Sequence, residues 1–374
     1  MEKLNAIALT FLRPQLNVLQ LNTLYQAAGN ATAIVENRNN LPDILPDVSD
    51  GLCKSIKNTL DEAIERAKRE LEFCEKHSIN VLTPDQEAYP QRLLNCEDAP
   101  IALYFRGSVD LNMRHIVCII GTRKCTVYGQ DLIRKFVIDL KKCCPDTLIV
   151  SGLAYGVDIN AHRSALDNGM DTVGVLAHGL DIIYPSMHRE TAKRMLSHGG
   201  LLTEFPSETK IDRRNFLQRN RIVAGLSDAC ILPESASHGG GLVTCRISND
   251  YGRNVYAFPG PVDAEFSQGC NNLIRTNGAQ LITCAADFVA DMGWDKDQIL
   301  AQKQATGIER TLFLDLNPDE QCIVDALHAN GDLTPDQLTG ATKLPVATIN
   351  ASLFMLEMNG VVKQLAGSVY HLLD

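Results

Sequence analysis

The chain has 374 residues, of which 45% are hydrophobic, and a formal net charge of −10. At roughly 100–200 residues per domain, this length favours two or three domains. No apolar run approaches the roughly 20 residues that a membrane helix needs. Glu2, Arg13 and Pro14 interrupt the N-terminal apolar stretch, so it is a poor match to a signal peptide. We therefore expect a soluble, cytoplasmic protein with no membrane partner.

The twelve cysteines form no C-x-x-C pair, and Cys143 and Cys144 are adjacent. This spacing suits neither a zinc site nor a secreted disulfide framework. The pattern predicts thiols that are mostly buried, in a reducing compartment. We expect no metal and no cofactor.

Residues 1–82 have a helical pattern, which is clearest in LNVLQLNTLYQAAG at 16–29 and in the charge-rich stretch at 55–77. They predict an all-α N-terminal domain. Pro84, Pro90 and Pro100 then indicate a connecting segment.

Seven short apolar runs alternate with helical stretches from residue 115 onward. They are HIVCII, TLIVS, TVGVLA, GLLTEF, DACILP, NVYAFP and AQLIT. Strands that alternate with helices indicate an α/β domain, here a Rossmann-like, doubly wound and mostly parallel sheet, which we assign to residues 83–295. Ligands of such sheets bind outside the carboxyl ends of the strands.

The C-terminal residues predict a small separate domain. Residues 296–314 have the composition of a polar linker, and residues 315–374 contain three helical stretches followed by a hairpin pattern, VVKQL-AGS-VYHLL. Three helices and a hairpin make a winged helix.

Charge is distributed unevenly along this acidic chain. Residues 101–290 carry 20 Lys and Arg against 18 Asp and Glu, whereas residues 291–374 carry 5 against 12. Binding of a polyanion depends on the local field of a patch rather than on the total charge. The stretch KIDRRNFLQRNR at 210–221 holds five cations and one acid, and is the strongest candidate patch.

This basic stretch combines residue types that suit single-stranded nucleic acid. Its arginines supply phosphate contacts, its asparagines can contact sugar or base, and its one ring can stack. The candidate residues are Arg213, Arg214, Asn215, Phe216, Arg219, Asn220 and Arg221. The alternative is a solvated basic helix start with Phe216 in the core.

Three glycine-containing loops at strand ends are candidate anion sites, because backbone amides and helix starts there can face a phosphate. The candidates are Gly121, Thr122, Arg123 and Thr126 before a helix starting near Gly129, Ser151 and Gly152 in the second loop, and Gly240, Gly241 and Thr244 in the third. For the first loop the alternative is a tight turn with surface cations.

Other polar residues near these loops have simpler interpretations. Asp158 fits a helix N-cap, and His162 fits a core histidine better than a catalytic base. Asp181, Glu204 and Glu234 fit ordinary turn and cap roles.

The order of motifs resembles the DNA-processing protein A (DprA/Smf) family over nearly the whole chain. The resemblance rests on GTRKCTVYG at 121–129, SGLAYGVD at 151–158, HRSAL at 162–166, GLDIIYP at 179–185, LLTEFP at 201–206, NFLQRNRIVAGLS at 215–227, YGRNVYAFPG at 251–260 and GCNNLI at 269–274. It implies a dimeric, non-enzymatic protein that binds single-stranded DNA and helps load the RecA recombinase in natural transformation. It also implies that Arg123, Ser151, Gly152, Arg213, Phe216, Asn220 and Arg221 contact DNA, with Phe216 stacking on a base.

The chain departs from the family pattern at three places. Tyr155 and Gly241 stand where the family commonly has arginine and serine, and the N-terminal region lacks the glycine-rich hairpin of many relatives. The winged helix, similar to that of many family members, has only Lys343 and Lys363 against eight acids in residues 313–374. Because phosphate contacts need cations, we expect it to contact protein or pack in a dimer rather than bind DNA.

Two other functions stay open at this stage. The fold also resembles the nucleoside-5′-monophosphate phosphoribohydrolases, but Arg246 or Ile247 stands where those enzymes need a catalytic acid. A nucleotide-sensing repressor is the other alternative, and the acidic winged helix weighs against it.

Overall fold

The computed structural model describes residues 1–12, 17–44, 46, 50–295, 316–358, 361–365 and 369–372. The chain divides into two compact units, residues 1–298 and residues 299–374. The linker predicted at residues 296–314 lies outside the described residues.

Five helices open the first unit, and their spans agree with the predicted helical pattern. They are α1 (Glu2–Thr10), α2 (Val18–Ala28), α3 (Ala31–Glu36), α4 (Leu41–Ile44) and α5 (Asp50–Lys76). Their core contains Ile7, Leu24 and Leu60 together with Val81 and Tyr104. The helices therefore share their core with residues of the region that follows.

Val81 and Tyr104 belong to two strands that the sequence analysis did not predict, β1 (Asn80–Leu82) and β2 (Leu103–Gly107). They pair antiparallel, with Val81 opposite Tyr104. The two strands were missed because an antiparallel pair this short produces no alternation of strand and helix. The prolines that suggested a connection lie between the two strands, beside the short helix α6 (Gln91–Leu94).

Each of the seven apolar runs contains a strand, and the remaining elements of this unit alternate as predicted. In order they are β3 (His115–Ile119), α7 (Val127–Cys143), β4 (Thr147–Ser151), α8 (Val157–Asp167), β5 (Thr172–Val175), α9 (Arg189–Met195), β6 (Gly199–Thr203), α10 (Arg213–Leu226), β7 (Ala229–Leu232), α11 (Gly240–Asp250), β8 (Asn254–Ala257), α12 (Gln268–Arg275), β9 (Gln280–Leu281) and α13 (Ala285–Asp291).

All nine strands form one sheet in the order β1-β2-β6-β5-β4-β3-β7-β8-β9. Neighbours from β6 to β9 are parallel, and β2 joins β6 antiparallel. The chain runs outward from β3 to β6 and then returns to the other side of β3 for β7. The predicted doubly wound, mostly parallel sheet is therefore confirmed, and β3 and β7 mark the switch point where ligands of such folds bind.

Residues of the central strand β3 alternate between two hydrophobic cores. Ile116 and Cys118 lie in one core, and Val117 and Ile119 lie in the other. Burial on both faces explains why β3 is a continuous apolar run rather than an alternating one. Because both faces of the sheet are covered, its carboxyl edge is the part where the connecting loops form the surface.

The second unit has the predicted winged-helix elements. They are α14 (Pro318–Asn330), α15 (Pro335–Thr342), α16 (Val346–Met358), β10 (Val362–Leu365) and β11 (Val369–Leu372). β10 and β11 pair antiparallel, and Ile323, Leu338 and Leu353 lie in a core of its own.

All twelve cysteines are free thiols, seven of them buried and only Cys322 exposed. Within the described ranges, no helix is both long and apolar enough to cross a membrane.

Candidate nucleic-acid interface

A cavity of about 740 Å³ opens at the carboxyl edge of the sheet, at the switch point between β3 and β7. The loops after β3, β4 and β7 and the first turns of α10 surround it. Eleven of the sixteen predicted site residues line it: Gly121, Thr122, Arg123, Gly152, Arg213, Phe216, Arg219, Asn220, Gly240, Gly241 and Thr244. The three glycine loops and the basic helix therefore meet at one place.

Backbone hydrogen bonds tie the loops to one another. Thr122 N donates to Glu234 O at 2.9 Å, which joins the loop after β3 to the end of β7. Val157 N donates to Thr122 O at 3.1 Å, which joins the same loop to the start of α8. These two bonds hold the loop after β3 against its neighbours on both sides of the cavity.

Thr126 lies outside this cavity and has a structural role. Its Oγ1 donates to the buried carboxylate of Glu234 at 2.6 Å, and its backbone N donates to the same carboxylate at 2.8 Å. Thr126 also caps α7 by accepting from Gly129 N. The helix thus begins at Val127, two residues before the predicted start. Glu234 has a structural role, but it holds the cap residue Thr126 rather than capping a helix itself.

The hydroxyl of Ser151 is also committed to the fold. The side chain is fully buried, and its Oγ donates to Ile119 O at 2.6 Å, which links β4 to β3. This corrects the expectation that Ser151 faces a phosphate, because the hydroxyl points between two strands rather than into the cavity.

Asp158 stabilises the loop after β4 from inside the first turn of α8. Its carboxylate accepts from Gly152 N at 3.1 Å and from Ala154 N at 3.3 Å. The predicted N-cap role was wrong, because Gly156, with φ +75°, occupies the cap position. Burial raises the pKa of Asp158, while the charge of Arg219 and the loop amides counteract this effect.

Arg219 places a buried positive charge beneath the cavity. The residue is only 3% exposed, and its Nη1 donates to Val175 O at 2.5 Å. Among the described residues, its Nε has no hydrogen-bond partner. Burial lowers the pKa of Arg219 to about 10, so the guanidinium stays charged at neutral pH. A Cβ at Gly152 would lie 2.0 Å from Nη1, which explains the glycine there.

Arg221 points away from the cavity into a buried ion pair. Its Nη2 lies 2.7 Å from a carboxylate oxygen of Glu204, and its Nε lies 3.7 Å from Asp98. Burial alone lowers the pKa of this guanidinium, but Glu204 and Asp98 outweigh burial and raise it. The predicted phosphate contact is corrected here, because both partners are carboxylates of the fold itself.

Arg214 and Asn215 also lie outside the cavity, at the start of α10. Arg214 is exposed, and its backbone N is capped by Asp212 at 2.7 Å. Asn215 Nδ2 donates to Lys210 O at 3.2 Å. Neither residue is positioned by the structure as a wall of the cavity.

An aromatic and cationic cluster forms one wall of the cavity. The rings of Phe216 and Tyr184 meet edge to face, with centroids 5.9 Å apart. The guanidinium carbon of Arg123 lies 5.5 Å from the Phe216 centroid, which is within cation–π range. Phe216 is half-buried rather than tucked into the core.

Tyr184 was missed by the sequence analysis. The residue is 43% exposed and follows β5, immediately before Pro185. An aromatic residue in a strand-end loop of a parallel sheet was the signal that could have identified it. Lys124 and His238, both exposed, are further lining residues that the sequence analysis did not select.

The third glycine loop leads into α11. The helix starts at Gly240, and its N-cap residue Gly239 has no side chain that could bond the first-turn amides. Those amides carry the positive end of the helix dipole, which favours an anion. Thr244 is buried and its Oγ1 donates to Gly240 O at 3.1 Å, so its hydroxyl is directed back along the helix.

The charged lining of the cavity favours anions. Arg123, Lys124, Arg213 and Arg219 face it, against Asp158 and Glu265. In the part of the chain that the structure describes, no three His, Cys, Asp or Glu side chains are grouped as a metal site.

His162 is a buried core histidine, as predicted. Its Nδ1 lies 2.7 Å from Thr172 Oγ1, and that hydroxyl donates its proton to Ile149 O at 2.8 Å. Nδ1 therefore donates, and Nε2 is unpartnered among the described residues. Burial lowers the pKa of His162 to about 3, with smaller contributions from His188 and Arg219.

A sequence model described as DNA recombination-mediator protein A matches residues 80–293, and one described as the DprA winged helix domain matches residues 314–368. The chain belongs to the DprA family. Protein Smf of Synechocystis sp. is 33% identical to it over 331 residues, which cover 80% of this chain and 82% of that protein. The DNA processing protein DprA of Streptococcus pneumoniae is 34% identical over 229 residues, covering 61% of this chain and 78% of that protein.

Solved structures of the DprA family share this fold. DprA from Streptococcus pneumoniae aligns with a TM-score of 0.59 at 27% identity, covering 74% of this chain and 98% of that one. DNA processing protein A from Helicobacter pylori, for which a single-stranded DNA binding mode is described, aligns with a TM-score of 0.52 at 29% identity, covering 58% of this chain and 96% of that one. The resemblance stated from the motifs is therefore confirmed.

Proposed function

We propose that this chain binds single-stranded DNA in the cavity at the carboxyl edge of its sheet, without chemical turnover. The observation that carries the proposal is the position of Phe216, whose ring contacts both Tyr184 and Arg123 at a cation-lined cavity. Proteins that hold single strands combine a positive groove with aromatic rings that stack on bases. The single-stranded DNA binding mode described for the Helicobacter pylori relative supports the same assignment.

The geometry favours a single strand over a duplex. Bases in a duplex are stacked on each other, so a protein ring cannot reach their faces unless the helix is opened. Here the ring of Phe216 lies at a confined cavity of about 740 Å³ rather than on a broad convex surface. We therefore expect unpaired bases to enter and phosphates to stay near Arg123 and Arg213.

Binding without turnover is supported by the state of the two buried carboxylates beside the cavity. Asp158 accepts from the amides of the loop after β4, and Glu234 accepts from Thr126. Both groups are committed to shaping loops, whereas a general acid or base has to reach the substrate. Incubating the protein with AMP should release no free adenine, and adenine release would contradict this part of the proposal.

Family membership extends the proposal to partners. We propose that the chain acts as a homodimer that transfers bound single strands to the RecA recombinase in natural transformation. Sedimentation of the purified chain tests the dimer. Assembly of RecA on oligonucleotides in the presence and absence of the chain tests the transfer.

The binding site is tested by fluorescence anisotropy with a labelled oligothymidylate. Arg123→Ala combined with Arg213→Ala should weaken binding and reduce the slope of log affinity against log salt by about 1.4, since each phosphate contact on a single strand contributes about 0.7. Arg194→Ala is the matched control. Arg194 is exposed, ion-paired with Asp167, and located in the last turn of α9 at the opposite edge of the sheet.

The control should bind like the wild type. Wild-type affinity and slope in the double variant would place the phosphate contacts elsewhere. An equal loss in Arg194→Ala would show that binding is non-specific attraction to surface cations.

A further inference from the structure

Tyr155 is an exposed ring beside the cavity that the proposed binding mode does not use. It lies in the loop between β4 and α8 and is 43% exposed. Its neighbour Ala154 lines the cavity. A tyrosine ring that is partly open to solvent has a face available for contact with a ligand.

A buried histidine supports this ring from behind. Tyr155 and His188 meet edge to face, with centroids 5.1 Å apart at an interplanar angle of 69°. His188 is only 2% exposed, and its Nδ1 donates to Leu153 O at 2.8 Å. Burial lowers the pKa of His188, so the imidazole stays neutral at pH 7. One orientation of the tyrosine ring is thereby favoured.

The backbone of the loop is held in an unusual conformation on both sides of Tyr155. Leu153 has φ +55° although it is not glycine, and Gly156 has φ +75°. Asp158 holds the intervening turn by accepting from Ala154 N. A left-handed non-glycine residue persists only where its surroundings enforce it, and such residues concentrate at binding sites.

The position of Tyr155 continues the proposed DNA path. β4 lies between β3, at the switch point, and β5, whose following loop carries Tyr184. Neighbouring strands are about 4.8 Å apart, so the loops after β4 and β5 are adjacent at the carboxyl edge. Arg189, which follows His188 in the chain, is exposed. A DNA strand that leaves the cavity across the loop after β4 therefore meets the exposed ring of Tyr155.

We propose that Tyr155, held by His188, is a second base-stacking subsite for single-stranded DNA, outside the cavity. This inference rests on the proposed function, since it concerns the continuation of the same strand. The subsite accepts any base, because stacking uses the face of the base and not its hydrogen-bonding edge.

The test compares short and long oligothymidylates, of about 4 and about 16 nucleotides, across the range of site sizes seen for single-strand binding. Tyr155→Ala should weaken binding of the long oligomer about 5-fold or more and leave the short one unchanged. Tyr155→Phe keeps the ring and should bind both like the wild type. The salt slope should be unaffected in both variants, because no cation is removed.

Further outcomes separate this inference from the proposed function. If wild type binds neither oligomer, both fail. If Phe216→Ala weakens binding while Tyr155→Ala equals the wild type at both lengths, only the second subsite fails. An equal loss for short and long oligomers would mean that Tyr155 acts through the shape of the cavity, and a loss in Tyr155→Phe would assign the effect to the hydroxyl. Each of these two results overturns the stacking proposal. Thermal unfolding of each variant checks that replacing the exposed ring leaves the fold intact, and the melting temperature should match that of the wild type.

Discussion

Two helices of this chain are candidates for DNA contact, and they differ in the properties that DNA binding needs. Helix α10 begins with the exposed cations Arg213 and Arg214 at the edge of a cavity. Helix α16 occupies the recognition position of a winged helix but has no lysine or arginine. Its exposed side chains include Phe354, Met355 and Met358, at 63%, 48% and 72%.

A motif associated with DNA does not by itself predict DNA binding. Affinity for a phosphate backbone comes mainly from cations that release counterions. The winged-helix unit has only Lys343 and Lys363 against eight acids, and it exposes apolar side chains, which indicate protein contact. Its predicted role in protein contact or dimer packing remains a hypothesis.

The largest effect we expect is on stability, from Arg221→Ala. Removing this guanidinium leaves Glu204 buried without its partner, and breaking a buried ion pair costs about 3–5 kcal/mol. Urea denaturation should show this loss in free energy of unfolding, while the exposed Arg213→Ala should change it by less than about 0.5 kcal/mol. If the Arg221→Ala variant is as stable as the wild type but binds DNA poorly, Arg221 contacts DNA and the structural role given to it here is wrong.

Phe216→Ala should weaken binding of single-stranded DNA by about 1–3 kcal/mol, the range for loss of one base–aromatic stack. The salt slope should stay that of the wild type, since the phosphate contacts remain. Phe216→Tyr preserves a stacking ring and should retain affinity. If Phe216→Ala and Phe216→Tyr both bind as tightly as the wild type, the ring is structural and α10 acts through charge alone.

The buried histidine gives a smaller, pH-dependent effect. The pKa of His162 is about 3 in the fold against 6.5 as its ordinary value, so protons bind the unfolded chain first as pH falls below 6.5. Stability is complete above that pH and falls by about 1.4 kcal/mol at pH 5.5.

Thermal unfolding at pH 7.5 and 5.5 measures this difference. His162→Leu should reduce the difference in stability between the two pH values. An unchanged difference in that variant would show that His162 does not cause it.

The smallest expected effect concerns the winged helix. A chain ending after residue 298 should bind an oligothymidylate with an unchanged salt slope, because the removed unit carries few cations against many acids. A slope reduced by about 0.7 or more would reveal phosphate contacts in that unit.

Much of the fold follows from local sequence pattern. The seven parallel strands are predicted because each belongs to a short apolar run. The strands β3 to β8 are largely buried, as Ile116 to Ile119 illustrate, whereas both residues of β9 are exposed. The antiparallel strands β1 and β2 are not predicted, because their pairing depends on residues far apart in the chain, such as Val81 and Tyr104.

The site could be predicted only in part, for a similar reason. Residue type marks α10 as basic, but the direction of each side chain decides its role. Arg213, Phe216 and Asn220, spaced three and four residues apart, line the cavity. Arg221, one position further, turns to Glu204. Its partner lies in a different segment of the chain, so local sequence cannot show the pairing.

The most direct test of the central claim is one salt titration of wild-type binding to an oligothymidylate and to a duplex of equal length. The single strand should bind more tightly at every salt concentration, because stacking on Phe216 adds affinity that salt does not remove. Equal or tighter binding of the duplex would contradict it.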